Sequence, residues 1–246
     1  MKVAALVVLA VVAVYGLLIR PWHARWGATE DEVAASLPGD ALVSQANISS
    51  TRALTIQGSA SEVWPWLVQM GQGRAGFYSY EWIENLRGLN IHNSDRILPE
   101  FQDLKVGELV PIAPDGAGVP VAFLEPNRAL VLGGRVDAQT KGPLGLEDFF
   151  RIVPGFVVKS PGAYYEASWG FFLQPIDAHT TILMERFRMD WGPNTLGNNL
   201  YYHGILEPGS FIMERKMLLG IKKRVEAAAG KLEINATDPT QIVVQK

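Results

Sequence analysis

The chain has 246 residues, 48% of them hydrophobic and 19% charged, which is enough apolar material for one sizeable core and an anchor. A net charge of −3 without a long basic run leaves no electrostatic footprint for nucleic acid, so that partner class is set aside. The absence of cysteine removes disulfides, thiolate metal sites and cysteine nucleophiles, and is compatible with any compartment.

Val3 to Ile19 is an unbroken run of apolar residues and glycine, with Lys2 before it and Arg20 after it. As a helix it would span roughly 26 Å at about 1.5 Å per residue, just enough for a hydrocarbon core of about 30 Å. Trp22 and Trp26 suit the membrane interface, and Arg20 and Arg25 can reach headgroups. No small-x-small cleavage site follows. Residues 1–20 therefore read as a single-pass transmembrane anchor rather than a cleaved signal, with balanced flanking charges leaving its orientation open. Residues 21–50, acidic and then Pro/Gly-bearing, read as a linker.

Thr51 to Gln57 alternates as a half-buried strand. Ser59 with Glu62 three residues on predicts a capping box, and Val63, Trp64, Leu67 and Met70 give a helical face that ends at Gly71. An aromatic stretch with Phe77, Tyr78, Tyr80 and Trp82 continues into a second short helix reaching Leu86. Gly71 to Gly76 has the spacing of a dinucleotide fingerprint, but it ends a helix where that motif must follow a strand, so a plain turn is the better reading. Strands are predicted over residues 108–112, 119–125, 128–136, 169–174 and 180–189, with short turns that favour antiparallel neighbours. Asp137 to Glu166 interrupts them with a Gly/Pro-punctuated insertion rich in aromatic and branched residues. So much apolar content argues against disorder.

Pro208 to Ala229 is the clearest helix, with Pro208 suiting its first turn and Gly230 its end. Met213, Met217, Leu218, Ile221 and Val225 share one face. That face needs a cover, and the strands upstream supply it: a curved antiparallel sheet closed over this helix, an α+β architecture. Glu214 lies on the covered face and so must reach the cavity, pair with a cation or hold a proton; Arg135 and Arg186 are the candidate partners. Residues 230–246 read as a tail.

Val63-Trp64-Pro65-Trp66-Leu67, Gln69-Met70-Gly71, Gly76-Phe77-Tyr78-Ser79-Tyr80, Trp82, Glu84-Asn85, Ile91 to Ile97 and, in the last helix, Met213 to Leu218 and Gly220-Ile221-Lys222 resemble the SRPBCC superfamily. The likeness is to its START-like, polyketide-cyclase-like group, and more narrowly to a membrane-anchored bacterial branch, over roughly residues 26 to 229. It implies the helix-grip fold, in which an antiparallel sheet wraps a long C-terminal helix and leaves an elongated apolar cavity. Because the superfamily holds lipid carriers, ligand sensors, cyclases and oxygenase subunits, the fold does not fix the function.

Two functional classes follow. One is a membrane-tethered, non-catalytic module binding a lipid or other hydrophobic small molecule; the other is a cyclase- or hydrolase-like enzyme acting on such a ligand in the same cavity. The expected cavity residues are Tyr78, Tyr80, Trp82, His92, Arg96, Arg135, Arg186, Met213, Glu214 and Met217, with Phe149, Phe150 and Phe156 contributed by the insertion, which reads equally as a lid at the cavity mouth or as an element packed on the sheet's outer face. His92 to Arg96 could supply acid–base groups at the cavity mouth or simply cap its own loop. The four histidines show no ligand spacing, and no metal, cofactor or catalytic residue is assigned.

Overall fold

A computed structural model describes residues 2–86, 88–137 and 164–237. Its centre is a six-stranded sheet of β1 (Ile48–Gln57), β2 (Leu109–Pro111), β3 (Gly118–Glu125), β4 (Ala129–Asp137), β5 (Tyr164–Pro175) and β6 (Thr180–Gly192). The spatial order is β1-β6-β5-β4-β3-β2, with every neighbouring pair antiparallel. Between β1 and β2 lie α4 (Ala60–Val68) and the short α5 (Glu81–Asn85); α6 (Leu196–Tyr201), a π-helical turn (Tyr202–Leu206) and α7 (Glu207–Thr237) follow the last strand. The N-terminal part holds α1 (Lys2–Val14), a π-helical turn (Tyr15–Ile19), α2 (Arg20–Ala24) and α3 (Glu30–Ala34).

Side chains alternate across the sheet, as the pleat requires. On one face Ile56, Leu130, Phe171 and Leu183 pack with Met217, Leu218, Ile221 and Val225 of α7 into the main core. Each such buried side chain stabilises the fold by about 2 kcal/mol relative to exposure. The sheet therefore grips the apolar stripe of α7, which is the helix-grip arrangement. The capping box forms as expected at the start of α4, where the Ser59 backbone N–H donates to Glu62 Oε2 at 2.7 Å.

Three expectations are corrected here. First, α7 runs through Gly230 to Thr237, so a lone glycine with no conflicting neighbour does not end it. Second, residues expected as a free linker cover the outer face of the sheet, where Ala28 and Leu37 pack on Ala53, Val131, Phe172 and Met184. Arg186 ties them down: its guanidinium donates to the carbonyls of Glu32, Val33 and Ala35 at 2.8, 3.0 and 2.6 Å and pairs with Asp40 at 2.9 Å.

Third, no helix among the described residues is long and apolar enough to cross a membrane. Past α1 the helical path continues through the π-helical turn into α2, and this stretch meets the domain. Tyr15 Oη donates to the His203 carbonyl at 2.9 Å, Arg20 pairs with Glu207 at 2.9 Å, and Trp22 meets the Phe211 ring edge-on at 5.4 Å. His23 is buried against the same ring.

Candidate functional site

A cavity of about 370 Å³ lies between the sheet and the first half of α7, within the range of small-molecule sites. Leu132 and Gly133 of β4, Ala167 and Trp169 of β5, Phe187 and Met189 of β6, and Met213, Glu214 and Met217 of α7 form its walls. Ile83 and Glu84 of α5 with Leu89 and Ile91 also line it, as do Ile205 and Leu206 of the π-helical turn and Ile212 of α7. Gly133 has φ +149°, and a Cβ there would lie 2.2 Å from the Ala167 carbonyl oxygen. Only glycine lets β4 pass this close to β5 while leaving the space beyond it open.

Polar groups enter the apolar lining at a few points. Arg52 and Glu185 oppose each other across β1 and β6, and Glu214 reaches them from α7. Arg52 Nη1 donates to Glu185 Oε2 at 3.2 Å and to Glu214 Oε2, and its Nε donates to the His23 carbonyl at 2.9 Å. Trp169 Nε1 completes the set by donating to Glu185 Oε1 at 2.9 Å. Burial pushes both carboxyls up from the ordinary glutamate range; the neighbouring Glu214 adds to this for Glu185, and Arg52 opposes it for both. The partner of Glu214 is thus Arg52, not Arg135 or Arg186. The strand alternation explains why: Glu185 faces inward and the next residue, Arg186, outward.

A second polar point is formed by Ser79 and Glu84, both buried in the cavity wall. Ser79 Oγ donates to Glu84 Oε1, while Glu84 Oε2 meets no hydrogen-bonding partner.

Of the candidate residues, Met213, Glu214 and Met217 line the cavity. The other described candidates do not. Tyr78 is packed in the core, its hydroxyl donating to the Trp66 carbonyl and accepting from Gln69. Tyr80 lies beneath the Lys216 ammonium, and Trp82 is 64% exposed. His92 and Arg96 are exposed, and their loop is held to α7 by Arg224, which pairs with Asp95 at 2.7 Å and donates to the Ser94 carbonyl. Arg135 is exposed at the sheet margin, pairing with Glu166 and lying over the Tyr164 ring. Phe149, Phe150 and Phe156 lie outside the described residues.

Arg52 and Glu84 went unread in the sequence. For Arg52 a signal existed, since it shares parity with Ile48, Leu54 and Ile56 on the inward face of β1. Among the described residues no three His, Asp or Glu side chains cluster as a metal site.

The sequence matches no family model and no curated protein. Solved structures with a similar chain path include a protein of Mesorhizobium loti, with 14% identity over 73% of this chain and 98% of that one at a TM-score of 0.38. Norcoclaurine synthase of Thalictrum flavum, as a point mutant, shows 14% identity over 74% and 96% at 0.38. A polyketide-cyclase-like protein of Corynebacterium glutamicum shows 12% identity over 79% and 97% at 0.30. The six-stranded antiparallel sheet gripping α7 over an internal cavity is the helix-grip architecture that the chain's resemblance to the SRPBCC superfamily implies.

Proposed function

We propose that this protein is a membrane-tethered, START-like module of the anchored branch that binds a lipid or other hydrophobic small molecule in its cavity without converting it. The observation that carries this reading is the lining: aliphatic, aromatic and methionine side chains dominate the walls of about 370 Å³, and among the described residues no lysine, arginine or histidine joins them. An apolar ligand needs shape and dispersion contacts, and a few fixed polar groups to orient it.

The tether is supported by the N-terminal segment, where Val3, Leu6, Leu17, Leu18 and Trp22 present large apolar surfaces to the outside. A soluble surface rarely keeps so contiguous an apolar patch uncovered. Ile205 and Ile212, exposed side chains that line the cavity, lie on the helical run to which Tyr15 and Arg20 dock. A bilayer at this end would meet the apolar helix and the cavity mouth together.

Native mass spectrometry of the purified full-length protein tests the binding reading. We expect a co-purifying hydrophobic adduct that is lost in Ala167→Phe, whose ring would occupy the cavity while melting remains cooperative. A protein that carries no adduct and takes up no added apolar molecule would overturn it. Chemical conversion of the bound molecule would favour the cyclase- or hydrolase-like alternative.

A further inference from the structure

Ser79 and Glu84 are set in apolar surroundings, with Phe77, Ile83, Leu89 and Ile91 beside them on the cavity wall. Glu84 is only 8% exposed, and it has two oxygens to satisfy. Ser79 Oγ serves Oε1; Oε2 is shielded from solvent and has no partner among the described residues. A buried polar atom without a partner destabilises a fold, so its retention on a cavity wall points to a partner that arrives from the cavity.

The surrounding bonds hold the pair ready. The Ser79 carbonyl accepts from Asn93 Nδ2 at 3.2 Å, Asn93 Oδ1 accepts from the Tyr78 backbone N–H at 2.6 Å, and the Asn93 backbone N–H donates to Glu81. Gly76 stands against the same asparagine: a Cβ there would lie 2.5 Å from Asn93 Oδ1. Loop and helix are thus locked together around Ser79, and Glu84 need not reorganise to meet a ligand.

Resting on the reading of the cavity as a hydrophobic-ligand site, we propose that Glu84, braced by Ser79, receives the one oxygen-bearing group of that ligand: a neutral hydroxyl or carbonyl on an otherwise apolar molecule. Three alternatives fit less well. A pure hydrocarbon leaves Oε2 unmet. A carboxylate or phosphate would face two carboxyls, Glu84 and Glu214, in a lining without lysine, arginine or histidine among the described residues, and Arg52 is already shared between Glu185 and Glu214. An amine would require Glu84 ionised. Burial raises its carboxyl above the ordinary range, with Ser79 opposing and the Glu81 charge adding, which works against the ionised form an amine needs, and a protonated Oε2 would offer a donor.

Equilibrium binding of radiolabelled dodecanol, dodecanoate and dodecylamine to the full-length protein tests the assignment, since the three share one chain and differ at the head. Dodecanol should bind roughly tenfold more tightly than either ion, the effect of about one buried hydrogen bond. Glu84→Gln, which still donates, should keep that ranking; Glu84→Leu should weaken dodecanol roughly tenfold. A preference for dodecanoate or dodecylamine, or an unchanged dodecanol affinity in Glu84→Leu, would overturn the assignment while leaving the cavity as the binding site. The wild-type ranking decides even if Glu84→Leu does not fold. Failure of all three probes and of other apolar molecules to bind would remove the cavity reading and this one with it.

Discussion

Arg52 shows how much one buried cation can organise. It joins β1 to β6 through Glu185, to α7 through Glu214 and to α2 through the His23 carbonyl, so four segments meet at one guanidinium. Removing it leaves two buried carboxyls without a counter-charge, a situation that costs about 3–5 kcal/mol. Chemical denaturation should therefore show Arg52→Met less stable by about that amount, and Glu214→Gln less affected, because an amide still accepts from Arg52. Equal, small effects would mean that the cluster is well solvated. The same burial has a pH signature. Glu185 is held from its ordinary 4.5 up to about 8, so the unfolded chain releases this proton first and folded-state stability falls as pH rises between those values. Melting curves of Glu185→Gln should lack that component of the decline; curves that stay parallel to wild type at every pH would show that Glu185 does not titrate in this window.

At the scale of elements, the close approach of α7 to the loop before α5 is set by one missing side chain. A Cβ at Gly220 would stand 2.3 Å from the Tyr78 carbonyl oxygen, while Tyr78 itself has φ +59° and is fixed by Gln69 and Trp66. Backbone oxygen cannot move aside as a flexible side chain can. Gly220→Ala should thus destabilise by about 1–3 kcal/mol. Gly230→Ala, in the same helix with open space around it, should stabilise by up to about 1 kcal/mol. Urea unfolding of the two variants gives the comparison, and two changes of the same sign would contradict it. This helix also shows what was legible beforehand: its 3.6-residue period placed Met213, Glu214 and Met217 on the covered face, because that period follows directly from helix geometry. The short α5 offers too few turns for a period to be read, and so Glu84 gave no sign of facing inward.

At the scale of the whole molecule, strand positions were legible because alternation records two faces, one against α7 and one against residues 28–44. What covers the outer face was not, since the covering segment is polar and is held through carbonyls and Asp40, which side-chain hydropathy does not register. Nor could spacing show that Arg52 meets Glu185, which only the sheet order brings opposite it. The exposed apolar residues of α1 and the following turn give the tether a direct test. Full-length protein should float with liposomes in a density gradient, and protein lacking residues 2–14 should not, with both melting cooperatively. Equal flotation would place the membrane contact elsewhere, and no flotation of either would remove the tether.

The order of the sheet also dictates when the molecule can be completed. Among the described residues β1 has a single neighbour, β6, and Gln57 finds its partner only at Thr180. A ribosome adding about 5–20 residues per second leaves the first strand unpaired for on the order of 10 s. β6 is the keystone, since it closes against β5 and β1 together, and α7 emerges only after it. Tyr15 and Arg20 wait longer still, for His203 and Glu207. The long-range closures thus all fall at the end of synthesis, and this fold is assembled late and almost at once rather than grown from its first strand.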